Sequence, residues 1–148
     1  MMEFEISVSF ELKGRELDPE EITALLGIIP TKTWRVDDLV HPKAGVRRKS
    51  NGWSLKSNLD KSVDLDEQIK SIFEQLQPSW QCLVEICQRY DAMINCAVYG
   101  YKYIPSIYFD KHIVRKTAEL NAEIDVDIYY LPNDQDNDLE YLKSDETG

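Results

Sequence analysis

The sequence predicts an α+β domain: a mostly antiparallel sheet of four to five strands with helices packed on one face. Two observations predict it. Segments that alternate apolar and polar residues read as strands with one buried and one polar face, as in an antiparallel sheet covered on one side and open on the other. Between them lie segments with apolar residues at helical spacing. A chain of 148 residues, 43% hydrophobic and 30% charged, suits one such domain and buries about 70% of its unfolded surface without needing a metal or disulfide.

Phe4, Ile6, Val8, Phe10 and Leu12 alternate with Glu3, Glu5, Ser7, Ser9 and Glu11 as a first strand. Asp18 is placed to cap a helix, Pro19 to open it and Glu20 and Glu21 to face its positive end. Its stripe is Ile22, Leu25, Leu26 and Ile29, and Gly27 and Pro30 mark its end. Thr31 to Asn51 has no sustained period and is expected as a long loop with a short strand near Trp34. Gly52 to Ser57 alternates again, with Trp53 and Leu55 on its apolar side.

Asp64 with Glu67 resembles a capping box before the stripe Leu65, Ile69, Ile72, Phe73 and Leu76. Pro78 separates it from a second stripe, Trp80, Leu83, Val84 and Cys87, so 64–90 reads as a helix pair. Ile94, Cys96 and Val98 form a third strand against Met93, Asn95, Ala97 and Tyr99. Asp110 caps a helix with Ile113, Thr117 and Leu120, Asn121 takes the left-handed position after it, and Ile124, Val126, Ile128 and Tyr130 form a fourth strand. The order, β-α-β, α-α, β-α-β, suggests a ferredoxin-like arrangement over 1–131, although the halves share no residue-level repeat. Residues 132–148 are acidic and poor in apolar groups, and are expected to be a disordered tail.

No apolar run approaches the roughly 20 residues that a membrane span needs. The N-terminus lacks the basic and apolar regions of an export signal, and Cys82, Cys87 and Cys96 fit neither disulfide nor zinc spacing, so a cytoplasmic protein with buried thiols is expected. The net charge of −10 opposes duplex nucleic-acid binding. It is uneven: Thr31 to Lys56 carries seven cations against two anions, and the rest sums to −15.

The opening alternation, Leu17-Asp18-Pro19-Glu20-Glu21-Ile22, Leu25-Leu26-Gly27-Ile28-Ile29-Pro30-Thr31, Trp34-Arg35, Gly52-Trp53-Ser54-Leu55 and Leu120 to Tyr129 together resemble the bacterial family domain of unknown function 4279, over roughly residues 4–131. The resemblance implies a small bacterial cytoplasmic protein and brings no activity, cofactor or catalytic residue with it.

Trp34, Arg35, Arg47 and Arg48, with Trp53, combine guanidinium forks and indoles suited to a phosphate, a carboxylate or a stacked base. The same residues serve equally as a structural loop balancing an acidic surface, with Trp53 in the core. The polar sheet face groups Glu3, Glu5, Ser7, Ser9, Glu11, Asn95, Tyr99, Asp125, Asp127 and Tyr129, a composition that suits a basic protein partner but also a merely solvated face. Asp125 and Asp127, with Glu3 or Glu5, are weak ligands for a hard cation, and no metal or other cofactor is expected. GxSxG, GxxxxGK[ST] and GxGxxG are absent, and neither His41 nor His112 has a nucleophile partner in sequence. The expected function is a non-enzymatic protein-binding module, immunity- or antitoxin-like. The alternative is a module for a small anionic ligand or single-stranded nucleic acid using the 31–56 loop.

Overall fold

Five strands, β1 (Phe4–Gly14), β2 (Lys32–Trp34), β3 (Asn51–Lys56), β4 (Asp91–Gly100) and β5 (Ala122–Tyr130), form one sheet in the order β2-β3-β1-β4-β5. The computed structural model describes residues 2–132, so the expected tail lies outside the described residues apart from Pro132. β1 pairs antiparallel with β3 and β4, β2 pairs antiparallel with β3, and β4 pairs parallel with β5. The class is therefore α+β with a mixed, mostly antiparallel sheet. The parallel pair follows from its connection, because a helical crossover returns the chain in the same direction.

The ferredoxin-like arrangement is not confirmed. In the first half β1 and β3 are direct antiparallel neighbours, whereas in the second β4 and β5 are direct parallel neighbours. The halves share an element order without sharing a topology.

Among the described residues four helices, α1 (Pro19–Leu26), α2 (Leu65–Leu76), α3 (Trp80–Ile86) and α4 (Lys111–Glu119), pack apolar residues into one cluster with Ile6, Val8, Phe10 and Leu12 of β1, Trp53 and Leu55 of β3, and Ile94, Cys96 and Val98 of β4, although of the stripe read for α1 only Ile22 and Leu26 join it and Leu25 stays exposed. All these strand residues share one sheet face, as the alternation requires. None of the helices among the described residues is long and apolar enough to cross a membrane.

The caps match expectation at two helices. Asp18 accepts from the Glu20 N–H and Asp110 from the Ile113 N–H, and Asn121 takes φ 51° after α4. Asp64 sits at the N-cap of α2 but its side chain makes no cap bond, so the capping box does not form. The predicted stripe of α1 also runs too far. Gly27 ends the helix at φ 67°, which leaves Ile29 86% exposed beyond it. Between α2 and α3 the chain makes a single 3-10 turn, Gln77–Ser79, around Pro78.

Buried Gln68 of α2 ties the helix layer to the sheet by donating from Nε2 to the carbonyls of Ile6 and Val63, each at 2.9 Å. At the surface the Lys70 ammonium, 2.8 Å from the Asp110 carboxylate, and the Ile113 N–H hold the Asp110 carboxyl below its ordinary value. Bonds from the Ser62 hydroxyl and N–H do the same for Asp60. A lowered folded value means that the unfolded chain protonates first. This contribution to stability is therefore present above the ordinary carboxylate range and is lost as pH falls through the lowered values. Thermal melts taken downward through about pH 4 are expected to show falling Tm, with a shallower fall in Asp110→Asn, and equal slopes would contradict the assignment.

Candidate functional site

The polar residues that alternate with the core positions line the second face of the sheet, and the strand register sets them in rows. One row runs Glu5, Tyr99, Tyr129; the next Ser7, Ala97, Asp127; then Lys56, Ser9, Asn95, Asp125; then Lys32, Ser54, Glu11, Met93, Glu123. The sequence-predicted face is thus assembled from β1, β4 and β5, except for Glu3, which precedes β1. Its middle is small and polar. Its β5 margin carries Glu123, Asp125 and Asp127, none with an ion pair among the described residues, and its β2–β3 margin carries Lys32 and Lys56. The face therefore has an acidic and a basic side.

Trp34 belongs to this face, because Trp34 pairs with Gly52 and Lys32 with Ser54 in the β2–β3 register. Its indole lies directly on Gly52: a Cβ built at that glycine would stand 2.0 Å from Trp34 Cε2. The Arg48 guanidinium sits over the ring, 4.3 Å from its centroid, in cation–π geometry. Trp34 is buried, so its faces are already occupied.

The segment after β2, expected as a loop without sustained period, folds back on itself. Asp37 N–H donates to Arg48 O, Arg48 N–H to Asp38 O and Val40 N–H to Val46 O, with a bridge between Leu39 and Arg47. Within it Arg47 donates to the Asp37 carbonyl at 2.8 Å. Arg35 bonds Asp18 and Glu20 at the start of α1. Of the predicted quartet, the structure brings together Trp34 and Arg48 and commits Arg35 and Arg47 to holding the loop and α1. Trp53 is a core residue and donates its Nε1–H to Thr23 Oγ1 at 3.0 Å.

On the other margin Tyr99 is buried and stacks on half-buried Tyr129, with centroids 5.1 Å apart and planes at 15°. Tyr101 and Leu131 pack with them. Glu5 accepts from the Tyr101 hydroxyl at 3.0 Å, and exposed Glu3 from the Tyr103 hydroxyl at 3.1 Å, which raises the Tyr103 pKa. Asp125 is exposed and Asp127 half-buried. The cation site is not assembled from these groups, since Tyr99 stands between Glu5 and β5 in its row. Among the described residues no three His, Cys, Asp or Glu side chains are grouped to hold a metal ion.

The cysteines are free thiols. Burial pushes Cys87 up to about 12, and burial with Asp125 and Asp127 nearby pushes Cys96 to the same value, so neither is a ready thiolate. Two surface recesses escaped the sequence reading. One of about 400 Å³ lies between α2 and α4, lined by Lys70, Phe73, Glu74, Gln77, His112 and Lys116. The other, about 230 Å³, is lined by Asp64, Asp66, Ser106 and Tyr108. Each draws on segments distant in sequence, so no local pattern announces it. Lys32 and Lys56 carried a usable signal, being two positions from Trp34 and Ser54 on alternating strands.

A family model described as a domain of unknown function, number 4279, matches residues 4–131. The comparisons with curated proteins and with solved structures give no match. The family match takes in all the strands and helices just described, and the chain belongs to the family of domain of unknown function 4279.

Proposed function

We propose that the protein is a non-enzymatic binding module that engages a basic protein partner through the β5 side of its open sheet face. An immunity- or antitoxin-like neutralising role inside a bacterial cytoplasm is the concrete form of this reading. The observation that carries it is the acidic column Glu123, Asp125 and Asp127 beside the half-buried Tyr129, on a sheet face where no described helix packs. Carboxylates steer a basic partner from a distance, and a rigid tyrosine supplies contact area at low entropic cost. Glu3 and Glu5, at the β1 end of the same face, each accept from a tyrosine hydroxyl, and Glu5 also pairs with Lys61, so they border the β5 column rather than add to its open charge.

The alternative, a small anionic ligand or single-stranded nucleic acid held by Trp34, Arg35, Arg47 and Arg48, has less support. A base needs an accessible ring to stack on, and Trp34 is buried between Gly52 and Arg48.

The test is affinity capture from the source organism's lysate with the wild-type chain and with Asp125→Lys, Asp127→Lys in parallel, followed by binding measurements on the purified partner. The expected result is a stoichiometric basic protein released by about 1 M salt, where charges more than about 3 Å apart are screened, and not retained by the double variant. A partner held equally by both baits, or no partner on the wild type, overturns the reading.

A further inference from the structure

We propose that the recess between α2 and α4 is a binding site for a small organic monocarboxylate with a planar apolar body, such as an aromatic acid. It lies in the helix layer, on the other side of the sheet from the face assigned to a partner above, and stands independently of that reading. Helical spacing assembles its walls. Lys70, Phe73 and Glu74 of α2 and Gln77 at its C-cap share one face, and His112 and Lys116, four residues apart on α4, line the other wall. The helices meet at both ends: Lys70 pairs with Asp110 at 2.8 Å, and Lys116 Nζ donates to Gln77 Oε1 at 3.4 Å. The volume of about 400 Å³ falls within the roughly 300–1,000 Å³ of small-molecule sites.

The two ends offer a ligand different chemistry. At one, Asp110 already answers the Lys70 charge. At the other, Lys116 is set against neutral groups: its nitrogen lies 4.5 Å from the Trp80 ring centroid, and it makes no ion pair among the described residues. Because Gln77 accepts through Oε1, its Nε2 is the atom left to donate. An ammonium beside an amide N–H is a pair of donors for one carboxylate. Between the ends stands Phe73, 3% exposed, with the His112 ring edge-on to it, centroids 6.5 Å apart and planes at 76°. These rings suit a planar apolar body. Glu74 is exposed on the same wall, so a second negative charge on the ligand would meet a carboxylate. That repulsion selects a monoanion over a dianion.

The test titrates the full isotope-labelled chain with sodium phenylacetate, the neutral phenylacetamide and the dianion para-phenylenediacetate. It reads the Gln77 side-chain amide, the Trp80 indole N–H and the backbone amides. Expected is a saturable shift at Gln77, Lys116 and Trp80 with phenylacetate, weaker binding of the other two probes, and no change along β5. Lys116→Met and Gln77→Met should each weaken phenylacetate about tenfold, the scale of a lost hydrogen bond to a charged group. Lys116→Met keeps an apolar stem over Trp80 and Gln77 is exposed, so if one variant melts early the other carries the measurement. Glu74→Gln should admit the dianion, and Arg115→Met, an exposed cation of α4 outside the recess, should bind as wild type. Shifts that do not saturate, phenylacetamide binding as tightly as phenylacetate, or equal losses in Arg115→Met and Lys116→Met overturn the proposal.

Discussion

Replacing Phe10 by alanine is expected to cost about 3–5 kcal/mol of stability, the range for truncating a buried aromatic residue. Phe10 is fully buried on the central strand, between Leu55 of β3 and Ile94 of β4 in the register. It touches the cluster that joins all the helices to the sheet, so the cavity cannot be filled by one loop shifting. Urea unfolding with an unchanged slope and a lower midpoint is the expected readout. Because total stability is typically about 5–15 kcal/mol, the alanine variant can approach the unfolding limit, and Phe10→Leu then serves as the milder probe. Near-native unfolding of both variants would mean that the helix layer does not rest on this strand. Phe73→Ala should fall toward the lower end of the range: Phe73 packs edge-on to Trp80 but borders the recess between α2 and α4, where neighbours can relax.

The core was legible because alternation and helical spacing are local signals. The even positions of β1, the Trp53–Leu55 side of β3 and the stripes of α2 and α4 all bury as read. The overextended stripe of α1 and the unformed box at Asp64 have a shared cause. Spacing says which residues can share a face, not where the backbone stops or which rotamer a carboxylate takes. Strand neighbours were not legible, because element order alone does not tell whether a crossover returns beside its own strand, as β5 does beside β4, or beyond another.

The candidate site was readable in its members and not in its grouping. Trp34 and Arg35 are adjacent in sequence, yet alternation sends them to opposite sides of β2: one lies on Gly52 and the other reaches the start of α1. Arg47 and Arg48 diverge in the same way, one to the Asp37 carbonyl and one over the Trp34 ring. A charge count over a loop sums residues that the fold then separates. The β1, β4 and β5 part of the sheet face, by contrast, was legible, because period two fixes facing wherever a strand is real, whereas its β2–β3 margin with Lys32, Trp34 and Lys56 needed the register.

Gly52→Val is expected to expel Trp34 from the open face and to cost about 1–3 kcal/mol, the range for overpacking a filled site. Even the first atom of a side chain at position 52 would meet the indole at 2.0 Å, and that contact is to a rigid ring rather than a flexible chain end. Among the described strands β2, only three residues long, pairs with β3 alone, so once the ring moves the edge rests on that pairing and on the bonds at its ends, Thr31 to Ser54 and Val36 to Asn51. The displaced indole should bring a red-shifted, more quenchable component to the tryptophan emission, while buried Trp53, anchored through Thr23, reports an unchanged core. Arg48, which now lies over Trp34, loses its platform in the same step. The basic margin of the face should therefore loosen while the acidic β5 margin keeps its geometry. A variant with native emission would show that the ring has another place to pack, and the edge strand would then owe its position to the Arg35 contacts with Asp18 and Glu20 instead.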